Sequence, residues 1–386
     1  MTLEKTSPAK KGIVALFPDL LGFGGIQEAG RLTARALQEI VSRLGCSASF
    51  LSLNDPEGRQ VFRAGEYEIP FDGFGRAKSL FTFAGLQKIR KGARIIVAGH
   101  PNLALPASWM KLLDRDLKTI VLSHGVEVWN PLSSVRQRAL FRADLVLAPS
   151  RFTATKLTEV QGVPVERVRI LAWPFSPEFL FLADAPAGHR LPQVFPQGRV
   201  VLTVGRWSAS ERYKGADDLM GAVARLRGTF PDLHLVVVGQ GDDLPRLQKL
   251  AAAQSATGFI HFLEDLSREE LAACYARADV FALPSTGEGF GFVFLEAMAF
   301  AKPVVGTAWG GITDLVEDGI NGLLVPPNDS ERLAQSLGHL LQDDSLRAKL
   351  GQSGAEIVRK KFRFDIFVSE FERILAYCGL RENAFV

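Results

Sequence analysis

Short apolar runs alternate with stretches of helical periodicity through the first half of the chain. The runs are rich in β-branched residues, whereas the intervening stretches repeat apolar positions at helical spacing. The predicted strands are Gly12–Phe17, Ala48–Leu53, Arg94–Ala98, Thr119–Ser123 and Leu145–Ala148. The predicted helices are Ile26–Leu44, Leu103–Leu113 and Ser134–Arg142. This alternation predicts an α/β fold, with a parallel sheet that helices cover on both faces.

A proline-rich segment, Trp173–Gly198, interrupts the pattern and suits a linker better than a helix or a central strand. The alternation then restarts. The second set of predicted strands is Val200–Val204, His234–Val238, Phe259–Phe262, Val280–Ala282 and Pro303–Gly306. The second set of predicted helices is Ala216–Thr229, Asp243–Ala253, Arg268–Arg277, Phe292–Phe300 and Ser330–Gln342. Two similar halves joined by a hinge predict a cleft between two sheets, and ligands of such sheets bind beyond the carboxyl ends of strands.

These patterns predict two domains, which also suits a chain of 386 residues. We expect a first domain at 1–172, a linker at 173–197, a second domain at 198–362 and a C-terminal helix within 363–386 that packs back on the first domain. Hydrophobic residues make up 47% and charged residues 23%, which is ordinary for a globular protein. No apolar run approaches the roughly 18–20 residues of a membrane span, and no apolar stretch follows the N-terminal lysines as in a signal peptide. Three widely spaced cysteines favour a reducing compartment, so we expect a cytoplasmic protein.

Charge is distributed unevenly between the halves. Residues 1–172 carry 24 Lys and Arg against 15 Asp and Glu, a formal charge of +9, and residues 173–386 carry 21 against 27, a charge of −6. A basic first half suggests contact with an anionic partner or surface, although chance variation of the surface is the alternative.

The most informative segment is Ser285–Ala299, which reads STGEGFGFVFLEAMA. It follows a predicted buried strand, turns through three glycines and enters a helix, whose N-terminus is a natural anion site. Glu288 lies in the turn and Glu296 lies eight residues later within the helix, so the two carboxylates can accept hydrogen bonds from hydroxyls along one ligand. The alternative is a capped turn with two solvated glutamates.

The Glu-x7-Glu spacing, with Gly-Phe-Gly after the first Glu and Glu-Ala-Met-Ala at the second, resembles the signature of glycosyltransferase family 4. Those are retaining enzymes of the GT-B architecture, with two Rossmann-like domains facing each other across a cleft. Further similar elements span most of the chain: Val204-Gly205-Arg206, Tyr213-Lys214-Gly215, Val238-Gly239-Gln240-Gly241, Gly310-Gly311 and Asn321-Gly322-Leu323-Leu324-Val325-Pro326.

The resemblance implies that Arg206 and Lys214 hold the diphosphate of a nucleotide-sugar donor. Lys214 also precedes a predicted helix, where a cation has no favourable dipole partner and a bound anion would explain it. Arg212 is the alternative to Lys214, and a solvated Arg and Lys pair is the alternative to both. The resemblance assigns Glu288 to the hydroxyls of the donor sugar and Glu296 to the ribose. Other donor contacts implied are the backbone groups of Phe290, Gly291 and Phe292, with Gly205 and Gly311 beside them.

In the first half, His124 and Glu127 resemble the family's His-Gly-x-Glu/Asp element. The resemblance implies that His124 reaches the donor sugar, while Glu127 orients either His124 or the acceptor; a structural histidine is the alternative. Gly24 and Gly25 belong to a glycine loop that lets a backbone approach phosphate closely. This loop lacks the spacing and the acidic residue of a dinucleotide fingerprint, which argues against an oxidoreductase. Gly239-Gln240-Gly241 precedes two acidic residues, so we interpret it as a turn.

The segment Phe71–Leu86 mixes aromatic, aliphatic and basic residues. One interpretation is contact with anionic lipid headgroups or a lipid-diphosphate acceptor, and the other is an ordinary core segment.

Together these features predict a retaining hexosyltransferase that uses GDP-mannose or a UDP-sugar and a glycan or lipid-linked acceptor, in cell-surface polysaccharide synthesis, with possible peripheral membrane contact and no nucleic-acid partner. No His/Cys cluster occurs, so we expect no metal and no other cofactor. The alternatives are a nucleotide-sugar epimerase of the same fold and a non-catalytic subunit that binds nucleotide sugars.

Overall fold

The computed structural model describes residues 12–65, 67–185 and 190–380. The chain divides into unit 1, residues 1–172 and 365–386, and unit 2, residues 173–364. The elements of the first 172 residues are β1 (Gly12–Phe17), α1 (Gly25–Leu44), β2 (Ser47–Ser52), β3 (Gly58–Ala64), β4 (Tyr67–Gly73), α2 (Lys78–Arg90), β5 (Ala93–Ala98), α3 (Ala104–Leu113), β6 (Lys118–Leu122), α4 (Ser134–Phe141), β7 (Leu145–Ala148), α5 (Arg151–Glu159) and β8 (Val168–Ile170).

The remaining elements run from 177 to 377. They are α6 (Pro177–Asp184), β9 (Arg199–Val204), α7 (Ala216–Leu226), β10 (Leu233–Val238), α8 (Leu244–Ala253), β11 (Ile260–Leu263), α9 (Arg268–Arg277), β12 (Val280–Leu283), α10 (Phe292–Ala299), β13 (Val304–Thr307), β14 (Gly322–Val325), α11 (Ser330–Gln342), α12 (Asp344–Lys361) and α13 (Phe364–Tyr377). From Asp365 onward, α13 belongs to unit 1, where Glu372 forms an ion pair with Arg43 of α1.

The sheet of unit 1 has the strand order β3-β4-β2-β1-β5-β6-β7-β8. Its central strand β1 is buried at every position, so the predicted parallel α/β core is confirmed there. The expectation of a wholly parallel sheet was wrong at one edge, where β3 and β4 pair antiparallel. Edge strands have one solvated face and carry polar residues such as Arg59 and Arg63, so these strands lack the apolar runs that marked the others.

The sheet of unit 2 has the order β11-β10-β9-β12-β13-β14, and all its strand pairs are parallel. Because β9 and β12 are neighbours, the loops that follow their carboxyl ends lie side by side. Those loops carry Arg206 and Glu288. The topology of one sheet therefore brings two distant sequence motifs to the same edge.

The proline-rich segment does contain a helix, α6, which corrects the expectation that its prolines exclude one. Pro177 lies in the first turn of that helix, where a missing N–H breaks no intrahelical hydrogen bond. The Phe179 ring packs edge-on against Tyr275. The segment therefore contributes to the core of unit 2. Pro186 lies outside the described residues.

The Phe71–Leu86 segment spans the end of β4 and most of α2. Phe71 and Phe81 are fully buried, as a core segment requires, whereas Leu80 and Phe83 of α2 are more than half exposed. The core interpretation therefore holds for the two buried rings, whereas Leu80 and Phe83 lie outside the core.

Candidate functional site

Two close backbone approaches hold the segment before α7 against the turn before α10. Gly215 adopts a φ of 72°, and a Cβ there would lie 2.5 Å from the carbonyl oxygen of Pro284. A Cβ at Gly287 would lie 2.3 Å from the Tyr213 ring, and the Thr286 N–H donates to the Tyr213 carbonyl at 2.8 Å. Only glycine permits these approaches. They place Lys214 beside Glu288.

Four charged residues, Arg206, Glu211, Lys214 and Glu288, form what we call the charge cluster. The Lys214 Nζ lies 3.1 Å from a Glu288 carboxylate oxygen and 3.7 Å from a Glu211 oxygen, and Arg206 forms an ion pair with Glu211. The side chains of Lys214, Glu288 and Glu211 are only 12–15% exposed, whereas Arg206 is half exposed. Glu211 is the member that the sequence patterns did not identify.

Burial and neighbouring charge shift the pKa of Lys214 in opposite directions. Desolvation alone would lower its pKa, but the negative charges of Glu288 and Glu211 outweigh that effect and raise the pKa above its ordinary value. Burial, followed by the charge of Glu211, raises the pKa of Tyr213 to about 12. Lys214 is therefore a charged ammonium at neutral pH, next to a neutral tyrosine.

The turn after Glu288 presents backbone groups at the start of α10. Gly291 caps the helix with a φ of 104°, and the first turn of any helix leaves N–H groups without intrahelical partners. The Phe290 ring is buried against Phe292 and Phe362. The Gly311 N–H donates to the Glu288 carbonyl at 2.7 Å, and a Cβ at Gly311 would lie 2.0 Å from the Gly289 oxygen. The turn is therefore packed by its neighbours, as an anion site requires.

Glu296 lies on the partly exposed side of α10, and a hydrogen bond from a buried tyrosine fixes its carboxylate. The hydroxyl of Tyr275 donates to its Oε2 at 2.7 Å. The Tyr275 side chain is fully buried and stacks on Phe300, with ring centroids 5.8 Å apart. Burial, followed by the charge of Glu296, raises the pKa of Tyr275 well above its ordinary value. The Tyr275 hydroxyl therefore stays protonated, donates to the Glu296 carboxylate and orients it.

Arg212 does not join the charge cluster. Its guanidinium lies 3.0 Å from Asp243, which also pairs with Arg246 at 2.7 Å. Gly205, by contrast, lies next to the cluster, because a Cβ there would contact the Lys214 alkyl chain at 3.5 Å. Gly239 and Gly241 pack tightly against the carbonyls of Gly205 and Trp207.

In unit 1, His124 lies next to a second histidine. Its Nε2 lies 2.8 Å from the Gly99 carbonyl oxygen, and its ring stacks on His100 with centroids 5.6 Å apart. A carbonyl can only accept, so this contact requires a proton on Nε2. The carboxylate of Glu127 accepts from the His124 backbone N–H at 2.6 Å, so Glu127 holds the loop that carries His124.

His100 is held neutral. It is almost completely buried, and its Nδ1 accepts from the Asn102 N–H at 3.0 Å. Burial, and then the neighbouring His124, lower its pKa to about 4. The residue could have been recognised from sequence, because it lies two residues after β5 as His124 lies two residues after the adjacent strand β6.

The glycine loop of unit 1 is anchored at its beginning and exposed at its tip. Arg31 donates to the carbonyls of Leu20 and Gly22, both at 2.9 Å, and Asp55 accepts from the Leu20 N–H at 2.7 Å. Gly24 has a φ of 132° and Gly25 begins α1. Both are exposed, so this backbone is accessible to a ligand.

Within the described residues there is neither a cluster of metal ligands nor a helix suited to span a membrane. Across 12–65, 67–185 and 190–380, no group of three or more His, Cys, Asp or Glu side chains could hold a metal ion. None of the helices in these ranges combines the length and the apolar character needed to cross a membrane.

The sequence of unit 2 matches a known family of enzymes. The family described as "Glycosyl transferases group 1" matches residues 192–357, which include the charge cluster, α10 and Glu296. Together with the relative described next, this match shows that the chain belongs to the group 1 glycosyltransferases and is a transferase.

The chain is 32% identical over 303 residues to a GDP-mannose-dependent alpha-(1-6)-phosphatidylinositol monomannoside mannosyltransferase of Mycolicibacterium smegmatis, covering 75% of this chain and 72% of the relative. Its fold is similar to that of a sucrose-phosphate synthase of Thermosynechococcus elongatus, with a TM-score of 0.76, 22% identity, and coverage of 95% of this chain and 98% of that one. It is also similar to HepE of Anabaena, solved in complex with UDP, with a TM-score of 0.71, 18% identity, and coverage of 95% and 100%. These likenesses confirm the GT-B fold.

Proposed function

We propose that this glycosyltransferase moves a hexose, with retention of configuration, from a nucleoside-diphosphate sugar to a hydroxyl of a glycan or lipid-linked acceptor in cell-surface polysaccharide synthesis. The carrying observation is the 3.1 Å pair of Lys214 with Glu288, directly before the N-terminus of α10. A buried cation next to an anion-binding helix start suits a diphosphate. The adjacent carboxylate suits the hydroxyls of a sugar.

In this proposal the donor is held along α10. Arg206 and Lys214 bind the diphosphate, Glu288 accepts from the sugar hydroxyls, and Glu296, oriented by Tyr275, accepts from the ribose. The supporting backbone contacts are those of Gly24, Gly25, Gly205, Phe290, Gly291, Phe292 and Gly311. Arg212 has a smaller role, because Asp243 already holds it.

The chemistry requires stabilisation of a leaving group. As the glycosidic bond to the diphosphate breaks, the sugar carbon gains oxocarbenium character and the diphosphate gains negative charge. Arg206, Lys214 and backbone N–H groups stabilise that charge more in the transition state than in the ground state. His124 acts on the transferred sugar, and Glu127 fixes the loop that carries it.

Calorimetry with UDP-, GDP-, ADP- and dTDP-linked hexoses tests the donor site. We expect heat of binding with one base and one sugar, and we would test GDP-mannose first, because the mycobacterial relative is named for it. Absence of binding across the whole panel contradicts the proposal. A product assay with and without acceptor then separates transfer from epimerisation and from a non-catalytic subunit.

We further propose that the reaction needs no metal, because the cations of the cluster supply the charge that a divalent ion would otherwise provide. Transfer should be unchanged after treatment with EDTA and dialysis. A loss of activity that Mg²⁺ or Mn²⁺ restores would contradict this part of the proposal.

Finally, we propose that unit 1 meets the cytoplasmic face of an anionic membrane. Large apolar side chains are exposed on α2 and α3, namely Leu80, Phe83, Trp109, Leu112 and Leu113. Lys78 and Arg90 of α2 are exposed as well. The two helices are in contact, since Met110 packs against Gly85. Apolar side chains beside cations suit an interface with anionic lipid.

Sedimentation with vesicles tests the membrane proposal. We expect binding to vesicles containing phosphatidylglycerol at low salt, weaker binding at high salt, and weak binding to phosphatidylcholine alone. Phe83→Ser should reduce binding, whereas Phe141→Ser, at an equally exposed phenylalanine of α4, should not. Equal loss in both variants would contradict a specific role for α2.

A further inference from the structure

The charge cluster is electrically balanced. It holds two cations, Arg206 and Lys214, and two carboxylates, Glu211 and Glu288, all joined by ion pairs. A balanced cluster does not attract a diphosphate strongly, so one carboxylate has to give up its cations when the donor binds. We infer that Glu211 is a built-in counter-ion that the donor diphosphate displaces, and that it thereby sets the affinity for donor and product. This inference rests on the proposed function.

Glu211 is the carboxylate that contacts both cations. It pairs with Arg206 and lies 3.7 Å from the Lys214 Nζ, and its side chain is only 12% exposed. Glu211 therefore pairs with the two residues that a diphosphate needs. Arg212, one residue further on, is bound to Asp243 and does not substitute for them.

Glu288 is less suited to move. Its carbonyl accepts from Gly311, and its turn is fixed by the close approaches of Gly287 to Tyr213 and of Gly311 to Gly289. Glu211, by contrast, lies within a short 3-10 segment, Ala209–Lys214, where its own φ and ψ of −119° and 28° depart from helical values. An irregular backbone position can change with the loss of few hydrogen bonds. The movement is therefore expected at Glu211.

The electrostatic consequence has a definite sign. A diphosphate close to Arg206 and Lys214 would also lie close to Glu211, and the two like charges would repel each other. Glu211 therefore opposes binding unless it moves away. When the nucleoside diphosphate product leaves, Glu211 pairs with the cations again, which favours release.

Calorimetry with UDP and GDP on the full chain tests the inference. Glu211→Gln removes the competing charge, so we expect the Kd of the nucleotide that binds to fall about tenfold, a change of about 1.4 kcal/mol. Glu269→Gln, at an exposed acid of α9 in the same unit, is the matched control and should leave the Kd unchanged. A Kd for Glu211→Gln that is unchanged or higher overturns the inference and makes Glu211 a positioning residue.

Glu211→Asp is a second variant, for the case that loss of the Glu211 charge prevents folding. Its carboxylate is one methylene shorter, so competition weakens and binding should tighten about two- to threefold. A positioning role predicts weaker binding instead. If the wild-type chain binds neither nucleotide, both this inference and the proposed function are overturned. Binding by the wild type with no gain in either variant overturns this inference alone.

Discussion

The two units place their predicted site residues in opposite electrostatic surroundings. In unit 2, Lys214 and Glu288 are charged partners that are mostly buried. In unit 1, His124 meets a backbone carbonyl and the ring of His100, whose pKa is lowered to about 4. The site of unit 2 is therefore a network of paired charges, whereas His124 of unit 1 lies against the uncharged imidazole of His100.

The two glycine turns differ in the same way. The turn of unit 2 is interlocked, because Gly287 and Gly311 each approach a neighbour too closely for any side chain. The turn of unit 1 ends in an exposed tip, where the Phe23 side chain is 89% exposed. Similar sequences, each a glycine run between a strand and a helix, therefore give one preformed site and one open loop.

The largest expected effect is at Lys214, the buried charge of unit 2. Lys214→Met keeps much of the alkyl chain but removes the ammonium that pairs with Glu288 and Glu211. Loss of one donor to the developing negative charge should lower kcat/KM about 10²–10³-fold. Steady-state transfer with the identified donor measures this.

Lys249→Met is the matched control, because Lys249 is exposed on α8. It should keep the wild-type rate. If Lys214→Met retains more than about a third of the activity, the charge cluster is not the leaving-group site.

The next effect concerns the uncharged imidazole of His100 in unit 1. Because burial lowers the pKa of His100 to about 4, the unfolded chain, with a histidine pKa near 6.5, binds more protons between these values. The contribution of His100 to the free energy of unfolding is fully present above pH 6.5 and is lost as the pH falls toward 4. The loss should reach about 3 kcal/mol, on the order of 1.4 kcal/mol for each pKa unit. Urea unfolding across this pH range measures it.

His100→Asn should flatten this pH dependence, because asparagine can also accept the N–H of Asn102 without titrating. His339→Gln, at an exposed histidine of α11, should leave it unchanged. An identical acid profile in wild type and His100→Asn would mean that the buried imidazole does not govern acid stability.

Much of the fold was predictable, because buried parallel strands are continuous apolar runs. Gly12–Phe17 and Leu145–Ala148 were predicted to the residue. The missed strands β3 and β4 lie at a sheet edge and have polar positions, and β8 and β14 are likewise edge strands, with positions that are not buried. Helix α6 was missed because the many prolines of its segment were taken to exclude a helix, although Pro177 lies in the first turn, where proline is tolerated. Edges and helix starts are where a hydrophobic pattern carries least information.

The candidate site was predictable where a residue lies within a motif, and not where a contact joins distant elements. Arg206, Lys214 and Glu288 could be selected from sequence, and the structure brings them together. Glu211 had a weak signal, since it lies three residues before Lys214 and could pair with it on one helical turn. Tyr275 had none, because its contact with Glu296 depends on how α9 packs against α10. Contacts between distant elements also bear on Lys214. Its ion pairs with Glu211 and Glu288 explain a cation at this position, which the sequence had related to a bound anion alone.

The contrast between the interlocked and the open turn can be tested with glycine substitutions. Gly311→Ala places a Cβ 2.0 Å from the Gly289 carbonyl, so the backbone must shift, and stability should fall by about 1–3 kcal/mol. Gly221→Ala, within α7 and with no atom within 4 Å of the new Cβ, should stabilise by up to about 1 kcal/mol. Gly22→Ala in the open turn meets the end of the Asp19 side chain and should cost less than Gly311→Ala. Denaturant unfolding of the three variants ranks them, and an equal cost at Gly22 and Gly311 would remove the distinction between the turns.

The smallest expected effect concerns the orientation of Glu296. Tyr275→Phe removes the hydroxyl that donates to its Oε2 at 2.7 Å and keeps the buried ring. Because Glu296 is only half-buried, water can replace part of that hydrogen bond, so affinity for the nucleotide should fall by about 1 kcal/mol, or roughly fivefold. Tyr377→Phe, at an exposed tyrosine of α13, should have no effect on nucleotide binding. Tyr275→Phe could instead lower the free energy of unfolding and leave the Kd for nucleotide unchanged. Tyr275 would then stabilise only the core, and its hydrogen bond to Glu296 would have no part in binding the ribose.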